Sequence, residues 1–153
     1  MAVPFARRVK QIAERATDTL PQTADEALFR IAGGKIRIKS IVGEVTTVIQ
    51  NQANNTKLKF NPSGTGSDID LCAVLDIAND AVGTHYTITG TLATAMKGTT
   101  NLFLTVPAED LAPPGLVLGP GDIELDCAAS NTGSVKWTVE YELVDSGATL
   151  VAV

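Results

Sequence analysis

Residues 122–144 read DIELDCAASNTGSVKWTVEYELV. In the first part Ile123, Leu125 and Cys127 alternate with Asp122, Glu124 and Asp126. In the second, Val135, Trp137, Val139, Tyr141 and Leu143 alternate with Lys136, Thr138, Glu140 and Glu142. A strict period of two marks strands with one buried and one wet face. The polar run Ser130-Asn131-Thr132-Gly133 between them predicts a hairpin with a longer loop. That hairpin would carry the only tryptophan inward and all five acids together on its wet face.

Working outward, the same texture recurs. Leu28–Ala32 reads as a strand closed by Gly33-Gly34, and Ile36 and Ile38 alternate with Lys35, Arg37 and Lys39. The apolar positions then slip from even to odd at Val45, Thr47 and Ile49. A strand changes parity only through a bulge or bend, and Gly43 is the expected place. A long bent strand over 35–50, crossing between sheets at a corner, is the expectation. Leu58 and Phe60, then Ile69, Leu71, Ala73 and Leu75, then Tyr86 and Ile88, mark further strands. Leu102–Val106 reads as another, residues 107–120 as a proline-rich excursion with a brief pairing at Leu116–Leu118, and Ala148–Val153 as a last edge strand. About nine short strands with turn signals between them predict an all-β antiparallel sandwich or barrel over residues 27–153.

Residues 1–26 differ. Val9, Ile12, Ala13 and Ala16 fall at helical spacing among Arg7, Arg8, Lys10 and Arg15, so a partly helical arm that orders on docking is expected. Pro4 and Pro21 bracket it. Phe5 is the only aromatic in that arm and the remaining domain is acidic, which argues against nucleic acid as its partner.

Bulk properties narrow the class. A chain of 153 residues is one domain by default, with room for a core that needs no staples. No apolar run approaches the ~20 residues that span a bilayer, and the N-terminus has no apolar segment of a signal peptide, so a membrane partner is not expected. Cys72 and Cys127 are too few for a disulfide framework and read as buried thiols. Residues 1–60 hold ten of the twelve Lys and Arg against five acids, a net of +5, while residues 61–153 carry a net of −10. Such asymmetry points either to a basic segment meeting an acidic partner or to strand faces that are basic early and acidic late.

No chemistry stands out. His85 has no motif around it that would make it a catalytic base. The glycine-rich stretches lack a P-loop lysine. Asp68, Asp70, Asp76, Asn79 and Asp80 are dense enough to raise calcium, but they miss the EF-hand register, and Asx turns are the expectation. The acids of 122–144 lie on an expected open face, not in a cleft, so no catalytic, cofactor or metal residue is assigned and the chain reads as no enzyme.

Asn54-Asn55-Thr56-Lys57-Leu58, Asp70-Leu71-Cys72-Ala73 and Cys127–Trp137 (CAASNTGSVKW) resemble small virion structural proteins of tailed bacteriophages, in particular head decoration (cement) proteins. The resemblance covers residue 28 to the C-terminus. It implies a capsid-surface protein, made in the host cytoplasm, that binds the outside of the head, often as a homotrimer, and clamps major capsid subunits. A tail, baseplate or head-fibre protein is the alternative, and a carbohydrate-binding module a more distant one. The resemblance has no site motif. Taken with the charge layout, it makes Arg7, Arg8, Lys10, Arg15, Asp122, Glu124, Asp126, Glu140 and Glu142 the expected inter-subunit contacts.

Overall fold

In the computed structural model, which describes residues 9–99 and 115–153, twelve strands form two six-stranded antiparallel sheets packed as a sandwich. No helix occurs among the described residues. In chain order the strands are β1 (Gln11–Thr19), β2 (Asp25–Ala32), β3 (Ile36–Thr47), β4 (Asn55–Pro62), β5 (Ile69–Asp70) and β6 (Leu75–Asp76). They continue with β7 (His85–Thr87), β8 (Lys97–Gly98), β9 (Leu116–Leu118), β10 (Gly121–Cys127), β11 (Ser134–Leu143) and β12 (Thr149–Ala152). One sheet runs β1-β11-β3-β7-β8, with β9 also on β3; the other runs β12-β2-β10-β4-β5, with β6 also on β4.

The stretch 122–144 is two strands, as the alternation predicts, but not a hairpin. Strand β10 pairs with β2 and β4, whereas β11 pairs with β1 and β3 in the opposite sheet. Residues 128–133 therefore form an arch between sheets. Alternation cannot tell the two apart, because both point Ile123, Leu125, Val135 and Trp137 into the same core.

The arch is held by its neighbours. The links β1–β2 (20–24) and β3–β4 (48–54) also cross between sheets, and all three meet at one end of the sandwich. Asn131, fully buried, donates from Nδ2 to the Gln52 carbonyl at 2.7 Å and the Gln50 carbonyl at 3.3 Å. Asn54, also fully buried, donates to the Ala129 carbonyl at 3.2 Å and accepts from its amide at 3.1 Å. Gln22 donates to the carbonyls of Leu20 and Asn131. Gly133, at φ +129°, passes so close to Ile49 that a Cβ would sit 2.9 Å from its Cα. A buried arch is stable only because its backbone polar groups find these partners.

The N-terminal segment is also corrected. Residues 11–19 are not helical; they are the edge strand β1, paired along β11 from Gln11↔Tyr141 to Thr19↔Ser134. The body thus includes residues assigned by sequence to the arm, and residues 1–8 lie outside the described residues. The expected strand at 102–106 lies outside them too.

The parity slip is real but sits elsewhere. Across β3 and β11, Ser40 faces Glu140 while Ile38 faces Tyr141, so Lys39 is the extra residue. Strand β3 stays within one sheet. Gly43 instead makes room, since a Cβ there would lie 2.8 Å from Trp137 Cη2 and Cζ3. The register sets Arg15, Trp137, Gly43, Tyr86 and Gly98 side by side across five strands. Large rings lean over glycines, with Trp137 and Tyr86 stacked at 6.5 Å between centroids and 30° between planes. Trp137 and Tyr86 are each 1% exposed.

Ile69–Leu75 is not one strand. Strands β5 and β6 each touch β4 over two residues, Ile69 is exposed, and Leu71 and Cys72 are both buried. Past Leu71, whose amide still bonds the Leu58 carbonyl of β4, the chain leaves that strand, and Ala73 bonds instead to Thr94 and Met96. The brief pairing at Leu116–Leu118 and the last edge strand form as expected, on β3 and β2.

Candidate functional site

The five acids read as one row are split between two faces. Asp122, Glu124 and Asp126 belong to β10 in one sheet, and Glu140 and Glu142 to β11 in the other.

On the β10 face, acids late in the chain meet cations early in it. Arg30 reaches Asp122 through Nε at 2.8 Å and Nη2 at 2.9 Å, a two-pronged contact. Lys57 bonds Asp70 at 2.9 Å. Lys59, its side chain 12% exposed, lies between Asp25 at 2.5 Å and Asp68 at 2.7 Å. The Lys59 hydrogen bond holds the Asp25 carboxyl below the usual carboxylate range, and the two acids push the lysine's own value up. Glu124, nearly buried, accepts from Asn61 Nδ2 at 3.1 Å. Asp25, Asp68 and Glu124 are close enough to share one ion, but the Lys59 ammonium already answers two of them.

On the β11 face, Lys10 pairs with Glu140 at 3.2 Å, Ser40 donates to the same carboxylate at 3.3 Å, and Lys136 pairs with Glu14 at 3.1 Å. Arg15 points inward from the edge strand and is 7% exposed. Its guanidinium binds the Val153 carbonyl at 3.1 Å, Glu26 at 2.9 Å and Asp18 at 3.2 Å, tying β1 to the far sheet. Of the expected contact residues, Lys10, Arg15, Asp122 and Glu140 are thus ion-paired within the chain. Asp126 and Glu142 have no ion-pair partner among the described residues, and Arg7 and Arg8 lie outside them.

His85 is half-buried on β7, opposite Glu44. Both line a groove of about 180 Å³ on the outer face, with Ser40, Val42, Lys136, Thr138 and Glu140. The Ser40 hydroxyl is committed to Glu140, and His85 Nδ1 is buried without a partner, so the groove holds no nucleophile paired with a base. Cys72 and Cys127 are free and buried; burial raises both thiols, Cys127 to about 11. Such thiols are inert.

The four aspartates raised for calcium fall into two pairs, with Asp76 and Asp80 lining one cleft apart from Asp68 and Asp70. Asp68 and Asp70 serve the lysines of β4. Asp76 Oδ1 accepts from the amides of Asn54 at 2.8 Å and Ala78 at 3.1 Å, an Asx turn as expected, and Asp80 accepts from the Tyr86 hydroxyl at 2.5 Å.

The three strings that carry the virion resemblance come together. Asn54 bonds Ala129, Thr56 donates to Cys127 Sγ at 3.6 Å, the Leu58 amide donates to Cys72 Sγ at 3.3 Å, and Leu71 bonds Leu58 through the backbone. Sequence reasoning ranked none of these as a group, because Asn54 and Asn131 look like ordinary loop residues until their burial is known. Compared with protein-family models and with curated protein sequences, the chain matches none.

Proposed function

We propose that this chain is a non-enzymatic structural protein of a tailed-phage virion, and within that class a head decoration protein. Its partners in this reading are the major capsid protein and further copies of itself, with a trimer favoured. One observation carries it: the three segments that give the resemblance converge on a single hydrogen-bonded framework around the arches. What the chain shares with virion proteins is then a scaffold, the part such proteins would have in common in the absence of a reaction. Charge supports a durable surface. Cations of residues 1–60 meet acids of residues 61–153 inside one chain, so part of the asymmetry is neutralised without a partner.

A carbohydrate module fits less well. The only tryptophan and both tyrosines are buried, leaving no Trp or Tyr platform for a sugar ring. A decoration protein adds free energy only to the assembled shell, and repeated copies convert a modest contact into a strong one. The test is co-sedimentation of the purified chain with capsid shells stripped of it. Saturable binding at lattice stoichiometry, with shells surviving higher temperature, is expected; binding to isolated tails but not to shells would move the chain to the tail or baseplate.

A further inference from the structure

The three inter-sheet links meet at one end of the sandwich, and that end carries no charge. The runs that contain them, 19–24, 45–56 and 127–135, hold no Asp, Glu, Lys, Arg or His, although 19% of the chain is charged. Bonds between their tips make them one surface. The Gln50 amide donates to the Thr132 carbonyl at 3.0 Å, and the Thr132 amide donates to Gln50 Oε1 at 3.1 Å. Asn79, on the next turn, donates from Nδ2 to Asn51 Oδ1 at 2.7 Å. The Thr23 and Ser130 hydroxyls bond at 2.6 Å. Gln22, Thr23, Gln50, Asn51, Gln52 and Ser130 are all exposed. Val48 and Val82, 55% and 40% exposed, add apolar area. Thr23 holds a φ of 55°, a left-handed backbone that a β-branched residue rarely takes. Such strain persists only where the surroundings over-determine it, as the Gln22–Ser130 bridge and the Ser130 hydroxyl do here. Charge resumes at the rim with Asp25, Lys57 and Asp126, while Asp80 turns its carboxylate to the Tyr86 hydroxyl.

We propose that this charge-free arch end is where a second copy of the chain docks. The inference rests on the reading above only in giving the chain copies of itself as partners, and it requires no capsid. Each copy carries a net charge of −5, so copies repel one another. A symmetric interface lays a patch against itself, and a charged residue near the axis would face its own like. Amides, by contrast, carry donors and an acceptor on one side chain, and a hydroxyl does both, so a patch built from them complements its own copy. Depletion of charge is the compositional mark of an interface centre. The arches are already laced together, so little ordering is left to oppose docking.

Sedimentation velocity of the purified full chain over a range of concentrations tests it. Reversible self-association is expected, and raised salt should leave it unchanged or strengthen it, because no ion pair is broken and the net charge is screened. Gln52→Lys and Gln52→Glu should each weaken it at least about tenfold, since like charges then meet, and mixing the two variants should restore it. Ser63→Lys, on the β4–β5 loop at the far end, should change nothing. Gln52 is exposed in a link, and Ala53→Glu repeats the test at its exposed neighbour if either variant is unstable. A monomer at every concentration, or wild-type association in the charged variants, would overturn the surface. A monomer that still co-sediments with shells overturns this surface alone, whereas a self-associating chain that binds no shell supports the surface and overturns the capsid reading.

Discussion

Trp137 shows what a single residue can and cannot announce. Its inward direction follows from local alternation, since period two depends on nothing beyond the strand itself. What it rests on does not. The parity slip between Ile38 and Val45 requires an irregularity, and glycine is the default choice, yet Lys39 carries the bulge and Gly43 makes room for the indole. That assignment needs the cross-strand neighbour, which the sequence does not reveal. Gly43→Ala should therefore lower stability by about 1–3 kcal/mol, the scale for overpacking a tight core, although the residue lies in a strand where alanine would otherwise be harmless. Urea unfolding followed by Trp137 fluorescence measures it. An unchanged midpoint would mean that the ring does not lie on the glycine. Asn54 and Asn131 were illegible for the same reason: an asparagine in a polar loop and one satisfying buried carbonyls look alike until partners are known.

Among the elements, β1 and the arch at 128–133 depart furthest from expectation. Val9, Ile12, Ala13 and Ala16 gave a helical reading because the inward positions of β1 are Ala13 and Arg15, so no apolar alternation shows. Ile12 faces outward and is 66% exposed. An inward charge and the bulge between Arg15 and Asp18 are devices that blunt an edge strand against pairing with other chains. Two truncations separate arm from body. Removal of residues 1–8 should leave the unfolding midpoint unchanged. Removal of 1–20 should cost more than about 3 kcal/mol, the scale for losing a paired inward charge, and should expose the edge of β11 to aggregation. Urea titration and sedimentation velocity on both proteins give the answer; equal stability of the two would show that β1 contributes nothing to the sandwich.

Across the whole molecule, the fold class was legible because about nine alternating stretches leave few alternatives, whereas the topology was not. Strands β1, β2, β3 and β4 switch sheets at every step, as do β9, β10, β11 and β12, so their ladders pair distant segments. Composition and local pattern carry no trace of that. The charge asymmetry was legible too, but which of its two meanings holds was not. Of the two explanations open at the start, the one that needs no partner accounts for Lys10, Arg30, Lys57 and Lys59, each paired with an acid from the second half of the chain or close to it. Shell binding in this account therefore rests less on Asp122, Glu124 and Glu140, which are engaged within the chain, and more on Asp126 and Glu142. The most direct measurement is electron microscopy of the purified particle that contains this chain. The account predicts a β-sandwich density on the outer face of the head, repeated with the capsid lattice and contacting more than one major capsid subunit. Density confined to the tail, or particles without the chain, would contradict it.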